Sequence, residues 1–255
     1  MTERGRPKSP AARPARTVRR TRTPKAAGVA DLFAGGRPAK IPRTSSYDPD
    51  CTRCPRLAEF LAETHHKYPD YWARPVPSFG SAAPRLLIVG LAPGMHGANR
   101  TGRPFTGDYA GILLYETLYE LGLASRAESV AMTDGLELRH ARIANTVKCV
   151  PPENKPLPDE IRECNRYLKT ELQELASVRV VLALGRIAHD GVLLASGLRR
   201  SRYPFAHARE HDLGAGRQLL DSYHCSRYNT QTRVLTARMF KEVVARACEL
   251  AGLPG

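Results

Sequence analysis

The stretch RLLIVGLAPGMHGANRTGRPFTGD, residues 85–108, decides the fold of this chain. Its first part, RLLIVGL (85–91), is an apolar run of strand length, which is typical of a strand buried on both faces of a sheet. The rest is a loop rich in Gly, Pro and polar residues, and it leads into YAGILLYETLYELGL, a helical pattern that closes near Gly122. A long structured loop between a strand and a helix is usually functional.

Strands and helices alternate through the rest of the chain. Strands are predicted at RIANTVKC (142–149), VRVVLALG (178–185) and RQLLDSYH (217–224), and helices at 158–175, 187–194 and 232–251. A further helix follows the Cys-x-x-Cys turn at 51–54, because Pro55 suits a first helical turn. This alternation predicts an α/β fold with three layers, α/β/α, around a central, mostly parallel, four-stranded sheet. Ligands bind such sheets beyond the carboxyl ends of the strands.

Three polar segments fall at those carboxyl ends: the loop after Leu91, the strand tip from Asn145 to Cys149, and the loop that begins at Tyr223. Together with Gly90 at the strand end, the first has five glycines, which let the backbone approach a ligand closely. It matches neither a Walker loop nor a dinucleotide fingerprint, so a phosphate or nucleotide site and a tight structural connection both stay open. In the third segment, His224 alone would be structural more often than catalytic.

Most of the formal net charge of +14 lies in the first 43 residues, which have twelve Lys or Arg and two acidic residues, a net charge of +10. Few large apolar side chains occur there, so this segment cannot bury enough surface to offset the entropy of ordering. We expect a disordered basic tail over residues 1–43 and one catalytic domain over 44–255. The tail is either a solubilising arm or an arm that seeks phosphates.

The sequence has neither an apolar secretory signal nor a run of about 20 apolar residues that could span a membrane. We expect a soluble cytoplasmic monomer, associated with the nucleoid, with no membrane partner. Cysteines occur at 51, 54, 149, 164, 225 and 248, and inside a cell such spacing indicates metal binding rather than disulfides. By spacing alone, Cys51, Cys54, Cys149 and Cys164 could enclose zinc or an iron-sulfur cluster, and zinc ranks first.

Four segments together resemble the family 5, or UdgB-type, uracil-DNA glycosylases: GLAPGMHGANRTGRPFTGD (90–108), IANTVKCVPPENKPLP (143–158), LALGRIAH (182–189) and SYHCSRYNTQTRVLT (222–236). The resemblance covers the chain from about residue 48. It implies the uracil-DNA glycosylase fold, extrusion of the target nucleotide from DNA, and hydrolysis of the N-glycosidic bond of uracil and other deaminated bases such as hypoxanthine and xanthine. It also reverses the metal ranking, because families 4 and 5 hold a [4Fe-4S] cluster at cysteines matching Cys51, Cys54, Cys149 and Cys164.

The resemblance further implies roles for single residues. Phe105 would stack on the extruded base, while Asn145 and His224 would hold its polar edge. Asp108 would place the attacking water together with Asn145, although an Asp before a helix is also a common N-cap. The remaining expected contacts are Gly90, Leu91 and Ala92 with the base, and Ser78, Arg100, Arg103, Ser226, Arg227, Tyr228 and Asn229 with DNA.

Two departures bear on the activity. Ala92 has no polar side-chain atom where several other families of the superfamily carry an Asp or Asn for the water, so Asp108 is the acidic candidate. No Lys stands where a Schiff base would form, since Lys148 lies beside a cluster ligand, and this favours a glycosylase without lyase activity. The alternatives are a family 4 enzyme, whose first motif has Glu at the position of Leu91, a non-catalytic DNA-damage binding protein, and a zinc-bearing nucleotide-binding module.

Overall fold

The computed structural model describes residues 1–2 and 43–253. Almost all of the predicted basic tail lies outside the described residues, so its disorder stays a prediction. The described residues from 43 onward belong to one compact unit, Ala39–Gly255. Among the described residues, no helix combines the length and the apolar character that crossing a membrane would require.

Strands and helices alternate along the described chain as the sequence predicts. The strands are β1 (Phe79–Gly80), β2 (Leu86–Gly90), β3 (Ala141–Asn145), β4 (Val180–Leu184), β5 (Glu210–Gly214) and β6 (Arg217–Ser222). The helices are α1 (Pro55–Lys67), α2 (Ala98–Thr101), α3 (Tyr109–Glu120), α4 (Pro158–Glu174), α5 (Arg186–Ala195), α6 (Arg227–Gln231) and α7 (Ala237–Leu250). The predicted helix over 232–251 begins later than expected, because the Thr236 side chain caps α7 by accepting a hydrogen bond from Met239 N.

The six strands form one sheet in the order β1-β3-β2-β4-β6-β5. The four central strands are parallel, which confirms the predicted parallel core. The predicted number of four strands is too low, because β1 and β5 add one antiparallel strand at each edge. Neither edge strand has an apolar run that sequence patterning could detect: β1 has two residues, and β5 alternates exposed and half-buried positions.

Successive residues of β2 face opposite sides of the sheet, as the pleat of a strand requires. Leu86 and Ile88 pack with residues of α3 and α7, and Leu87 and Val89 pack with residues of α4 and α5. Every β2 residue is buried, because helices cover both faces. The three-layer α/β/α arrangement therefore holds, and it leaves the carboxyl ends of the central strands as the place where loops can build a site.

Candidate active site

The carboxyl ends of β2 and β3 meet where Gly90 is the register partner of Asn145. Asn145 is buried, and its Oδ1 has no hydrogen-bond partner within the described part of the chain. A Cβ at Gly90 would lie 2.6 Å from that oxygen and 2.7 Å from the Phe105 ring, so glycine is what lets both side chains meet here. A buried acceptor without a partner costs on the order of 1–3 kcal/mol, which marks Asn145 as a functional candidate.

Phe105 reaches the same point from the loop before α3. Its φ of 56° is in the left-handed region, a strained backbone conformation that recurs at functional sites. A Cβ at Gly111 would lie 1.7 Å from the Phe105 carbonyl oxygen, so α3 can begin this close to the loop only with glycine at that position. The Phe105 and His224 rings lie 6.0 Å apart between centroids, at an interplanar angle of 27°. Phe105 thus lies near His224 and, like Asn145, beside Gly90.

His224 follows β6 and is half-buried. Burial lowers the pKa of its imidazole to about 4, so the ring is neutral at pH 7. A neutral imidazole offers one N–H donor and one acceptor. The backbone carbonyl of His224 accepts a hydrogen bond of 2.8 Å from Asn229 Nδ2, which ties the residue to α6. His224 is therefore suited to donate a hydrogen bond rather than to supply a positive charge.

Asp108 stands at the N-cap position of α3, but its side chain makes no capping hydrogen bond to that helix. Its Oδ2 instead accepts from Ala98 N, at 3.3 Å, in α2. Burial raises the pKa of the Asp108 carboxyl, while the Ala98 N–H and the nearby Arg100 and His96 oppose that shift. The side chain of Asp108 thus does not act as the N-cap that the sequence left open as the alternative to catalysis.

The Asp108 carboxylate lies in a space left by two glycines, neither of which the sequence analysis identified individually. A Cβ at Gly94 would lie 2.5 Å from Asp108 Oδ1, and a Cβ at Gly97 would lie 1.7 Å from it. Real Cβ atoms do not approach this closely, so any side chain at Gly97 must displace the carboxylate. Gly94 and Gly97 leave space for the side chain of Asp108. A glycine-rich sequence alone does not show whether such space holds a side chain of the protein or a ligand.

Leu91 and Ala92 continue from β2 and are partly buried. The Leu91 carbonyl accepts from Val147 N at 3.0 Å, so the pairing of the two segments continues beyond Asn145. Ala92 packs against the apolar cluster that surrounds Cys149 and Cys164. Leu91 therefore lies beside the Asn145 site, and Ala92 lies between this site and the cysteines.

The predicted DNA-binding segment after His224 forms a short surface helix. Ser226 caps α6 by accepting from Asn229 N, and Arg227 and Tyr228 are exposed. The Arg227 guanidinium lies 5.8 Å from the centroid of the Tyr109 ring, so α6 stands next to the start of α3. Side chains at positions 226–228 are thus accessible to a DNA backbone near the loop that carries Asp108. The side-chain amide of Asn229 instead donates a hydrogen bond to the backbone carbonyl of His224.

Of the other predicted DNA contacts, Arg100 is half-buried on α2, and its Nε donates to the His96 carbonyl at 2.7 Å. Arg103 is 4 % exposed and donates to both oxygens of Asp134 at 2.8 and 2.9 Å. Its charge is used inside the protein, so its position contradicts the predicted contact with DNA. Spacing in a sequence does not distinguish an arginine turned inward from one that faces a phosphate.

Ser78 also has an internal role. Its hydroxyl donates to Glu171 Oε2 at 2.8 Å and accepts from Lys148 Nζ at 2.8 Å. Lys148 and Glu171 are both buried, and Arg142 donates to the other Glu171 oxygen at 2.7 Å. Burial opposes ionisation, but Lys148 and Arg142 hold the pKa of Glu171 below its usual value. The side chain of Ser78 therefore belongs to a buried ionic network, and the DNA contact predicted for this partly exposed residue stays a prediction.

The four predicted metal ligands come together. Cys51 and Cys54 precede α1, Cys149 follows β3, and Cys164 lies in α4, and all four line one small cavity. Burial raises the pKa of Cys164 to about 12 and that of Cys149 well above its usual range. Lys148 N donates to Cys164 Sγ at 3.2 Å. The two further cysteines, Cys225 and Cys248, are buried in the core instead.

A single-ion site and a cluster site differ in how close their ligands stand. In the described part of the chain, the group of three or more ligand atoms close enough for one ion is His189, His211 and Asp221, not the cysteines. The four cysteine thiols share one cavity, and they match the number of thiolates that a zinc ion or a [4Fe-4S] cluster takes.

The family model of the uracil DNA glycosylase superfamily matches residues 77–248, which include the parallel sheet, Phe105, Asp108, Asn145 and His224. The fold and the site thus agree with the match, and the chain belongs to this superfamily.

Closer relatives narrow the family. The chain is 50% identical over 208 residues to the type-5 uracil-DNA glycosylase of Thermus thermophilus, covering 80% of this chain and 94% of the relative. It is 41% identical over 230 residues to the type-5 enzyme of Mycobacterium leprae, covering 87% of this chain and 100% of the relative. A type-4 enzyme from Archaeoglobus fulgidus is 37% identical over 114 residues, 44% of this chain and 49% of that protein. The chain belongs to the type-5 uracil-DNA glycosylase family.

Proposed function

We propose that this protein is a uracil-DNA glycosylase that hydrolyses the bond between uracil and deoxyribose in DNA and so initiates base excision repair. The observation that carries the proposal is the meeting of Asn145, Phe105 and His224 at the carboxyl end of the sheet. Asp108 lies three residues after Phe105, at the end of the loop that leads into α3. The type-5 relatives support the same reaction.

The reaction stretches the C1′–N bond until the sugar resembles an oxocarbenium ion and the base leaves with negative charge. Asn145 can donate and accept at the base edge, and its unpartnered Oδ1 suits an N–H of the base. A neutral His224 donates a hydrogen bond whose strength increases as the base oxygen becomes negative. Asp108, whose pKa is raised by burial, suits the placement and deprotonation of the attacking water.

The target nucleotide must leave the base stack for these groups to reach it, and Phe105 supplies an aromatic face for the extruded base. Stacking does not depend on a particular pattern of donors and acceptors, because every base has a π face. Leu91 and Ala92 likewise add no side-chain hydrogen bond that would reject an isosteric base. The substrate range therefore includes hypoxanthine and xanthine besides uracil.

A lyase reaction would need an amine at the sugar, and Lys148 does not supply one. Its Nζ is buried and bonds Ser78 and Glu171, beside the cysteine cavity. The enzyme is accordingly monofunctional and leaves an abasic site.

The test is strand cleavage, revealed by alkali, on duplex and single-stranded oligonucleotides that carry uracil or hypoxanthine opposite each normal base. Excision of uracil by the wild-type protein establishes the activity. Binding of these oligonucleotides without excision would favour the non-catalytic damage-binding alternative.

We also propose that Cys51, Cys54, Cys149 and Cys164 hold a [4Fe-4S] cluster. The four thiols share one cavity, two of them are deeply buried, and the N–H of Lys148 bonds the Cys164 sulfur, as donors do around iron-sulfur clusters. When bound, the cluster would link the segment before α1, the tip of β3 and α4. Since β3 ends in Asn145, its role is to fix that strand tip.

The purified protein should be yellow-brown, absorb broadly near 400 nm and contain about four irons per chain, because four thiolates in one cavity match the cluster type. Iron, zinc and sulfide are measured on protein prepared anaerobically. Stoichiometric zinc without iron would contradict the proposal and favour the zinc-bearing alternative.

The basic tail should bind DNA through phosphates. Removal of residues 1–43 takes away +10 of the +14 charges, so duplex affinity should fall and its salt dependence flatten by roughly 0.9 in log-log slope per lost phosphate contact. Single-turnover excision of bound substrate should not change, because Phe105, Asp108, Asn145 and His224 all lie outside the tail. Affinity is measured at several salt concentrations, and an unchanged slope would mean that the tail is only a solubilising arm.

A further inference from the structure

Tyr68 and Tyr71, just beyond the end of α1, form a stacked aromatic pair with ring centroids 4.6 Å apart and planes 16° apart. His96, in the loop before α2, meets both rings edge-on, at 5.8 and 6.0 Å between centroids. Its Nδ1 lies 2.9 Å from the Tyr71 hydroxyl. We call Tyr68, Tyr71 and His96 the aromatic platform. His96 is exposed and the two tyrosines are half-buried, so the platform reaches the surface.

The platform borders the candidate active site. Trp72 N and Ala73 N donate to the carbonyls of Arg100 and Asn99, both at 3.0 Å, so the segment after Tyr71 is fastened to α2. His96 directly precedes Gly97, whose missing side chain makes room for the Asp108 carboxylate. The platform therefore lies on the outer side of the loop whose inner side seats the proposed water-placing carboxylate.

Basic groups lie on two sides of the platform, and the exposed acidic residue Asp70 lies between its two tyrosines in the sequence. The last turn of α1 carries His65, His66 and Lys67, and the Lys67 ammonium lies 5.3 Å from the centroid of the Tyr68 ring. Arg100 joins from the other side, because its Nε bonds the His96 carbonyl. Aromatic rings among cations are the combination that binds nucleic-acid strands, since bases stack on the rings and phosphates pair with the cations.

We propose that the aromatic platform binds the DNA strand beside the target nucleotide, with a neighbouring base on the tyrosines and its phosphate near Lys67. This inference rests on the proposed function, because it needs a substrate strand that enters at Asp108. The DNA strand would then be held both at the aromatic platform and at the candidate active site. A strand held at two points resists sliding while the target nucleotide is out of the base stack. The platform would thus lengthen the contact with DNA on one flank of the lesion.

The test uses the full chain with its metal bound and fluorescently labelled oligonucleotides that carry an abasic analogue in place of the target. Tyr68→Ser and Tyr71→Ser should each lower the affinity about 5- to 150-fold, the range for loss of one stacked base. Nuclease protection should shorten on one flank only. Tyr68→Phe and Tyr71→Phe keep the ring and should bind like wild type. Tyr119→Ser is the matched control, since Tyr119 is an exposed tyrosine elsewhere, on α3.

Melting temperatures identify any serine variant that fails to fold. The phenylalanine variants then show whether an aromatic ring at that position is sufficient for wild-type DNA affinity. Equal affinity and equal protection in folded serine variants and wild type would overturn the proposal, and so would a loss that Tyr119→Ser shares. Uracil excision by the wild type is measured in parallel. If the wild type excises uracil but the serine variants bind normally, the platform fails alone; if the wild type does not excise, the proposed function fails.

Discussion

Asp108→Asn should lower single-turnover excision of uracil by at least about 100-fold and leave DNA affinity close to that of wild type. Asparagine has the size of aspartate and can still accept the hydrogen bond from Ala98 N, but it cannot carry the negative charge that places and deprotonates water. Rapid-quench kinetics with enzyme in excess measure the chemical step, and anisotropy on an abasic-analogue duplex measures affinity.

The same variant tests what the carboxylate costs the fold. Burial raises the pKa of Asp108 in the folded protein above about 3.9, the pKa of an aspartate in the unfolded chain. The folded protein therefore holds the carboxyl proton up to a higher pH than the unfolded chain does. The ionised carboxylate therefore destabilises the fold at pH 7, and this cost disappears once both states are protonated in acid. Asp108→Asn should melt at or above the wild-type temperature at pH 7, and the difference should shrink below about pH 4. A lower melting temperature with near-normal turnover would contradict the catalytic role and restore a structural one.

Gly97→Ala should lower single-turnover excision about as much as Asp108→Asn does, although it changes no residue that takes part in the chemistry. The new Cβ would lie 1.7 Å from Asp108 Oδ1, so the carboxylate must leave its seat. A displacement of about 1 Å in a catalytic group can cost about 100-fold in rate. The measurement is again single-turnover excision, together with the melting temperature.

The combination with Asp108→Asn provides the control for Gly97→Ala. If glycine acts through the carboxylate, the second substitution should add little to the first, because both remove the same interaction. Two losses that multiply, or a fall in melting temperature that accounts for the whole loss, would show that Gly97→Ala acts on the fold of the loop and not on Asp108.

Apolar periodicity in the sequence predicted every central strand and the five long helices within a few residues of their ends. It could not predict β1 and β5, because they belong to the sheet through backbone pairing at its edges and not through buried side chains. It also could not predict α6 as a separate helix, since residues 227–231 contain no apolar face and the boundary depends on two side-chain caps.

For the site, the family resemblance supplied the residues, and the structure brings Asn145, Phe105 and His224 together as expected. The error at Arg103 has a physical cause. Whether its guanidinium faces DNA or a buried partner depends on Asp134, which is 31 residues away in sequence. The internal partner of Ser78, Glu171, is likewise 93 residues away. Gly94 and Gly97 were recognised as loop glycines, yet nothing local indicated that the side chain they accommodate is that of Asp108.

The ion pair of Arg103 and Asp134 also bears on the thermodynamics of substrate binding. Asp134 accepts hydrogen bonds from the backbone N–H groups of Val130, Ala131 and Leu136, and Arg103 lies 4.4 Å from the centroid of the Phe79 ring. The loop between β2 and α3 is thereby cross-linked to two distant segments before any DNA arrives. The conformational entropy of that loop is lost during folding and need not be lost again when DNA binds. More of the interaction energy with DNA would therefore be left for the proposed extrusion of the target nucleotide.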